Sequence, residues 1–222
     1  MRRSNSILAL ASGNGHKIQE FGEILAPAGW DVVSIRQWVP DLADPEETEP
    51  GFRGNAELKL EHARAHLRAS TVRPLPQALA ADDSGLAVKL LGGEPGIHSA
   101  RFAQRAGTGR GDAANRQELA RRLREAGVVP GGSAPAAFVC AIAFMELDPD
   151  RLVEAMAECP GAVGLDERGD GGFGYDSMFF PILADRRLSD RTFAELPPDT
   201  KHALSHRGLA LRALVAKLGK RR

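Results

Sequence analysis

The sequence holds four segments whose residue types and spacing suit phosphate, metal or base chemistry. The most heavily charged is Asp82-Asp83-Ser84-Gly85, which follows a short apolar run. Two adjacent carboxylates repel each other unless something compensates them. A magnesium ion is a natural partner, because it takes hard oxygen ligands and bridges phosphates. A polar turn with solvated aspartates is the competing reading. Glu46 and Glu47, in an acidic stretch upstream, offer further carboxylate oxygens or simply a solvated loop.

Ser12-Gly13-Asn14-Gly15-His16-Lys17 forms the second segment, between an apolar run and a helical pattern. Free N–H groups and the helix dipole make such a junction an anion site, and glycine lets a phosphate approach. Lys17 adds a positive charge. The spacing is not GxxxxGK[ST], so a P-loop is disfavoured. The third segment is Gly171-Gly172-Phe173-Gly174-Tyr175-Asp176. Gly169, Gly171 and Gly174 also satisfy GxGxxG, but no apolar strand precedes them and no amphipathic helix follows, so the dinucleotide reading fails. Two aromatics and a carboxylate on a glycine loop can instead pack against a base, or be core aromatics on a turn. The fourth segment is Lys201 with Ser205-His206-Arg207-Gly208. Cationic side chains in a first helical turn oppose the macrodipole, and an anionic or carbonyl-bearing ligand would relieve the conflict.

Several patterns carry no chemistry. Arg110-Gly111-Asp112 is an adhesion-like tripeptide in a chain without secretion features, and reads as chance. No GxSxG elbow supports a hydrolase triad. His98 and His202 lack metal-ligand spacing.

The elements that must position these segments follow from periodicity. Residues 6–11 predict a strand, and Ile18, Phe21, Ile24 and Leu25 predict a helix that stops at residues 27–29. Residues 31–35 predict a second strand, and 41–54 an exposed acidic loop. Asn55 is placed as the N-cap of a helix with Leu60, Ala63 and Leu67 on its apolar face. Residues 77–81 form a short strand candidate ending at Asp82, and 86–91 continue extended. A charged helix is expected over 115–126. A hairpin is expected from 136–146 and 151–158 around Leu147-Asp148-Pro149-Asp150. Ser205 starts a final helix. The order is that of an α/β protein with a mixed sheet flanked by helices.

At 222 residues, with 43% hydrophobic and 26% charged residues, the chain has ordinary globular composition for one domain with a substantial core. Lys plus Arg and Asp plus Glu both number 29. There is no basic excess to suggest a nucleic-acid partner; Lys217, Lys220, Arg221 and Arg222 read as a solvated tail. Cys140 and Cys159 lack CxxC spacing and read as reduced core thiols, which suits a cytoplasmic protein. No stretch approaches membrane-spanning length, and the apolar run near the start is too short for a signal peptide.

Taken in order, the segments resemble the family of noncanonical purine nucleoside triphosphate pyrophosphatases, which act on inosine and xanthosine triphosphates. The resemblance runs from residue 11 to 214 and adds Asn55-Ala56 with Lys59, Pro95-Gly96-Ile97 with Ser99-Ala100-Arg101, and Ala194-Glu195-Leu196. It implies an elongated central mixed sheet flanked by helices, in a single domain over 1–222 with two lobes and a substrate cleft between them, usually as a homodimer. It implies water attack at the α-phosphate of dITP, ITP or XTP, giving the monophosphate and pyrophosphate with Mg2+. Ser12, Gly13, Asn14, Gly15, His16 and Lys17 would bind the triphosphate, and Lys59 would face the phosphates. Asp83 would be proton acceptor and metal ligand, with Glu46 or Glu47 as a further ligand, and Ser84 would touch substrate. Phe173, Gly174, Tyr175, Asp176, Lys201, His206 and Arg207 would hold the nucleotide. Ser12 stands where the family usually has threonine, and Ser177 where it has proline. The alternatives are a Maf-like pyrophosphatase for other nucleotides, or a silent nucleotide-binding module.

Overall fold

The computed structural model describes residues 5–219, so Lys220, Arg221 and Arg222 of the basic tail lie outside the described residues. In chain order the main elements are β1 (Ser6–Leu10), α1 (Gly15–Leu25), β2 (Trp30–Ser34), α2 (Phe52–Ala69), β3 (Ala78–Val88), α3 (Phe102–Ala106) and α4 (Gly111–Glu125). They continue with β4 (Ser133–Leu147), β5 (Asp150–Gly164), β6 (Phe179–Pro181), α5 (Pro198–Leu204) and α6 (His206–Leu218). The six strands form one sheet in the order β2-β1-β3-β4-β5-β6. It is mixed, as expected: β1 runs parallel to β2 and to β3, with Leu8 opposite Val32 and Ala78, and β5 runs antiparallel to β6. Asp148 and Pro149 join β4 to β5 as a two-residue hairpin connection, which only antiparallel strands can use.

Two compact units divide the chain. Of the described residues, the first comprises 5–83, 140–157 and 210–219, and its two cores follow the period-2 alternation of its strands. Leu8, Leu10, Ala78, Ala80, Cys140, Ile142 and Phe144 face Phe21 and Leu25 of α1 and Leu211 and Leu214 of α6. The residues between them (Ala9, Leu79, Ala81, Ala141, Ala143, Met145) face Ala56, Leu60, Ala63 and Leu67 of α2. Helices thus cover both faces of the sheet, which suits parallel strands. The second unit comprises residues 84–139 and 158–209. Its core gathers Leu119 and Leu123 of α4, alternate β4 residues Ala134, Ala136 and Phe138, and the aromatic cluster of Phe138, Phe179 and Phe193.

Four local expectations are corrected. Residues 82–85 are not a turn at a strand end but lie inside an eleven-residue β3, with Asp82 and Asp83 buried. Asn55 is not an N-cap: Gly51 holds that position, and Asn55 is buried in the second turn of α2. Its amide accepts from the N–H of Glu49 (3.1 Å) and donates to the carbonyl of Glu49 (3.2 Å), bracing the acidic loop. Residues 86–91 do not stay extended, since a 3₁₀ turn takes over at Lys89–Leu91. The charged helix α4 begins four residues earlier than periodicity suggested, at Gly111.

Candidate active site

In the first unit, the loop after β1 is organised by its own side chains. The Asn14 side chain accepts from the N–H groups of His16 (3.0 Å) and Lys17 (3.3 Å), capping α1. The Ser12 hydroxyl accepts from Asn14 N–H at 3.1 Å. With Ser12 N–H bonded to Leu10 C=O (2.8 Å), four N–H groups of the loop are already used, which fixes the loop shape. Arg36, not singled out in the sequence, fills the space beside Gly13. A Cβ on Gly13 would come within 3.0 Å of its guanidinium. Ser34 ties that arginine to the loop, donating to Ser12 C=O (3.1 Å) and accepting from Arg36 N–H (3.3 Å).

The two aspartates of β3 each meet a lysine. Lys17 Nζ lies 3.0 Å from both carboxylate oxygens of Asp82. Lys59 Nζ lies 2.6 Å from Asp83 Oδ1 and 2.5 Å from Glu47 Oε1, so one ammonium bridges two carboxylates. The repulsion expected of adjacent carboxylates is therefore offset by lysines from α1 and α2. Glu47 is the member of the acidic loop that is drawn in, whereas Glu46 is exposed.

Burial is the largest influence on the Asp83 carboxyl and raises its pKa above the ordinary aspartate value, although Lys59 pulls the other way. Burial alone would lower the Lys59 pKa, but Asp83 and Glu47 outweigh it and raise it. The second oxygen of Asp83, Oδ2, is buried without a hydrogen-bond partner. A buried orphan carboxylate oxygen is costly and calls for a ligand. Among the described residues, no group of three or more His, Cys, Asp or Glu is arranged to hold a metal. Asp83 with Glu47 instead makes a two-carboxylate oxygen set, which fits magnesium, since that ion typically takes one or two carboxylates and completes its shell with phosphates and water.

The second unit holds the remaining segments. Asp176, buried, accepts from Phe173 N–H (2.9 Å) and from Lys201 Nζ (2.9 Å), closing the glycine loop on itself. Gly172 has φ +76°, and a Cβ there would meet Asp176 Oδ2 at 2.1 Å, so the turn needs glycine. The Phe173 ring is flanked by Lys201 Nζ at 5.5 Å and the Arg207 guanidinium at 5.6 Å. Arg207 also donates to the Ser84 hydroxyl at 3.0 Å. Gly208 N–H bonds the Ser205 hydroxyl at 3.1 Å, which orients the start of α6. The His206 ring stacks on Phe138 at 4.7 Å, 11° from parallel. Tyr175 is a core residue whose hydroxyl donates to Ser99 C=O at 2.8 Å, which anchors the loop.

The sequence thus assigned the segments, and the structure sorts them into two clusters. Ser12–Lys17, Lys59, Asp82, Asp83 and Glu47 belong to the first unit, and Ser84, Phe173–Asp176, Lys201, His206 and Arg207 to the second. Asp83 and Ser84 are consecutive residues of β3. Sequence reasoning missed Arg36, Asp112 and Arg116. Asp112 and Arg116 both bond the backbone of Gly174. Their one available signal was a spacing of four residues on a helix.

A model of the Ham1 family matches residues 8–217. The dITP/XTP pyrophosphatase of Mannheimia succiniciproducens is 41% identical over 214 residues, 96% of this chain and 98% of its own length. That of Geobacillus kaustophilus is 40% identical, covering 93% of this chain and 91% of its own. Among solved structures, a HAM1 protein from Coxiella burnetii superimposes with a TM-score of 0.75 at 32% identity, over 96% of this chain and 98% of that one. The Ham1 protein of Staphylococcus aureus gives 0.73 at 34% identity, over 96% and 97%.

Proposed function

The chain belongs to the Ham1 family, and from that premise we propose that it hydrolyses dITP, ITP and XTP to the monophosphate and pyrophosphate with the help of Mg2+. Its curated relatives carry the name dITP/XTP pyrophosphatase across nearly their whole length. The observation that carries the reading is the Lys59 ammonium bridging Glu47 and Asp83, beside a buried Asp83 oxygen left without a partner.

Phosphate chemistry falls to the first cluster. Gly13 and Gly15 allow close approach of an anion to the start of α1, and Lys17 and Arg36 add positive charge there. Asp83 and Glu47 would hold a magnesium ion, whose charge would neutralise phosphate oxygens and make the α-phosphorus more electrophilic. The carboxylate of Asp83 accepts the proton of the attacking water as the water oxygen bonds to the α-phosphorus. The bond from that phosphorus to the bridging oxygen breaks, and the pyrophosphate leaves with its charge balanced by Lys17 and Lys59.

Base recognition falls to the second cluster. The Phe173 ring presents an aromatic face to a purine, and Arg207 supplies N–H donors suited to a 6-oxo group. Adenine offers an amine at that position, which would leave such donors unpaired, and a site of this kind rejects the wrong partner strongly. The family resemblance extends the reading to a homodimer. Two buried cysteines outside any disulfide fit a reducing, cytoplasmic setting.

A substrate panel of dITP, XTP, dATP, dGTP and dTTP, assayed for pyrophosphate and orthophosphate, tests the proposal. Pyrophosphate from dITP and XTP in preference to the others is expected. Preference for dTTP, as in a Maf-like enzyme, or release of orthophosphate alone would overturn it. Sedimentation tests the dimer.

A further inference from the structure

Both polar groups of one glycine in the Phe173 loop are held by the same helix. Gly174 N–H donates to Asp112 Oδ2 at 2.7 Å, and Arg116 Nη1 donates to Gly174 C=O at 3.0 Å. Asp112 and Arg116 stand four residues apart near the start of α4, and so share one helix face. Arg116 is itself fixed from behind, since its Nε donates to Glu167 Oε2 at 2.6 Å, an oxygen that also accepts from the Ser177 hydroxyl at 3.3 Å. Gly174 sits at φ +62°, in the left-handed region that glycine adopts without strain. Phe173 is therefore held on both sides. Asp176 takes its N–H from within the loop, and the α4 pair grips the peptide groups of the next residue.

We infer that Asp112 and Arg116 are positioning residues for purine selection: they clamp Gly174 and so fix the Phe173 ring against the base. The inference deepens the proposed function and rests on it. Neither side chain needs to touch substrate. Both act through the backbone of Gly174, and the charge on each makes these hydrogen bonds stronger than neutral ones. The tripeptide Arg110-Gly111-Asp112 thereby acquires a role unrelated to adhesion. Gly111, at φ +83°, turns the chain into α4 and delivers Asp112 to the loop.

The test uses the full-length enzyme with Mg2+, comparing wild type with Asp112→Ala, Asp112→Asn, Arg116→Met and Phe173→Ala. Steady-state kcat and KM are measured for dITP and dATP, with Tm for every variant. Asp112→Ala and Arg116→Met are expected to raise KM for dITP about tenfold, with kcat changed less than about threefold, as losing one charge-assisted hydrogen bond allows. The dITP-over-dATP ratio of kcat/KM should fall with them. Asp112→Asn, which keeps an oxygen for Gly174 N–H, should restore most of both. Unchanged KM and ratio in the Ala and Met variants would overturn the inference. So would a lowered Tm with equal loss on both nucleotides, which marks a purely structural role. Phe173→Ala separates the two levels of the argument. If it leaves dITP binding and base preference intact, the assignment of this loop to the base fails and takes the clamp with it. If it alters them while the α4 variants do not, the clamp alone fails.

Discussion

At the residue scale, Asp83 combines three properties that a water-activating carboxylate needs. It is buried, one of its oxygens is held by Lys59, and the other has no hydrogen-bond partner. Asn at this position would keep the shape and a hydrogen-bonding oxygen but could neither take a proton at neutral pH nor supply a charged metal ligand. Asp83→Asn is therefore expected to lower kcat for dITP by at least about 10²-fold, the lower range for loss of a general base. Its fold should survive, because the ionised form of Asp83 pays for its burial while Lys59 keeps Glu47 as a partner. Pyrophosphate release and a thermal melt check both halves; near-normal turnover would remove Asp83 from the chemistry. Asp82 has the contrasting environment, with both oxygens facing Lys17. That ion pair holds the Lys17 side chain in place.

At the element scale, the acidic loop and α2 form one device. Asn55 on α2 braces Glu49, and Gly54 lets the loop close, since a Cβ there would meet the Glu49 side chain at 2.8 Å. Glu47 reaches Lys59 from this braced loop. Asn55→Ala should lower Tm by about 2–4 °C, the shift for roughly 1 kcal/mol in a chain of this size. It should also raise the Mg2+ concentration needed for half-maximal activity, which a metal titration of the rate measures. Helix α4 supplies a pH-dependent term. Glu118 is buried and accepts from Arg121 and Thr108. Its Arg121 hydrogen bond, acting against burial, holds its pKa below the usual 4.5. A depressed folded-state pKa adds stability above the unfolded value, and that stability is lost as pH falls through the folded one. Glu118→Gln should therefore melt lower than wild type at neutral pH, with the difference closing as pH drops below about 4. Melts across that range check the sign. A constant gap at every pH would show that the carboxylate charge is irrelevant.

At the scale of the whole molecule, the sequence made the elements legible wherever the period was uniform. β1 and α1 stand close to where periodicity put them, and the β4–β5 hairpin turns where expected, although its strands run longer, β4 from Ser133 and β5 to Gly164. Periodicity failed at β3, because Asp82, Asp83, Ser84 and Gly85 are locally turn formers and are kept in a strand by partners far along the chain. Lys17 is 65 residues from Asp82, and Lys59 is 24 from Asp83. The site segments were legible as an ordered set, whereas the bonds from α4 to Gly174 join residues 58 and 62 apart in the chain and left only a four-residue helical spacing as a signal. The same long strands bear on cooperativity, since β3, β4 and β5 each supply residues to both compact units. Cys140 on β4 lies in a core of the first unit and Cys159 on β5 in the core of the second. Both cysteines are buried and in no disulfide, and burial pushes the Cys159 thiol up to about 12. A thiolate is the reactive form, so neither should react with a disulfide reagent until its surroundings open. Because a strand cannot unpair in one unit and stay intact as a continuous element in the other, both cysteines should label with the same dependence on denaturant. That dependence should match global unfolding followed by circular dichroism. Mass spectrometry of labelled peptides distinguishes the two sites. Labelling of one cysteine well below the global transition would show that the units open separately, despite the strands they share.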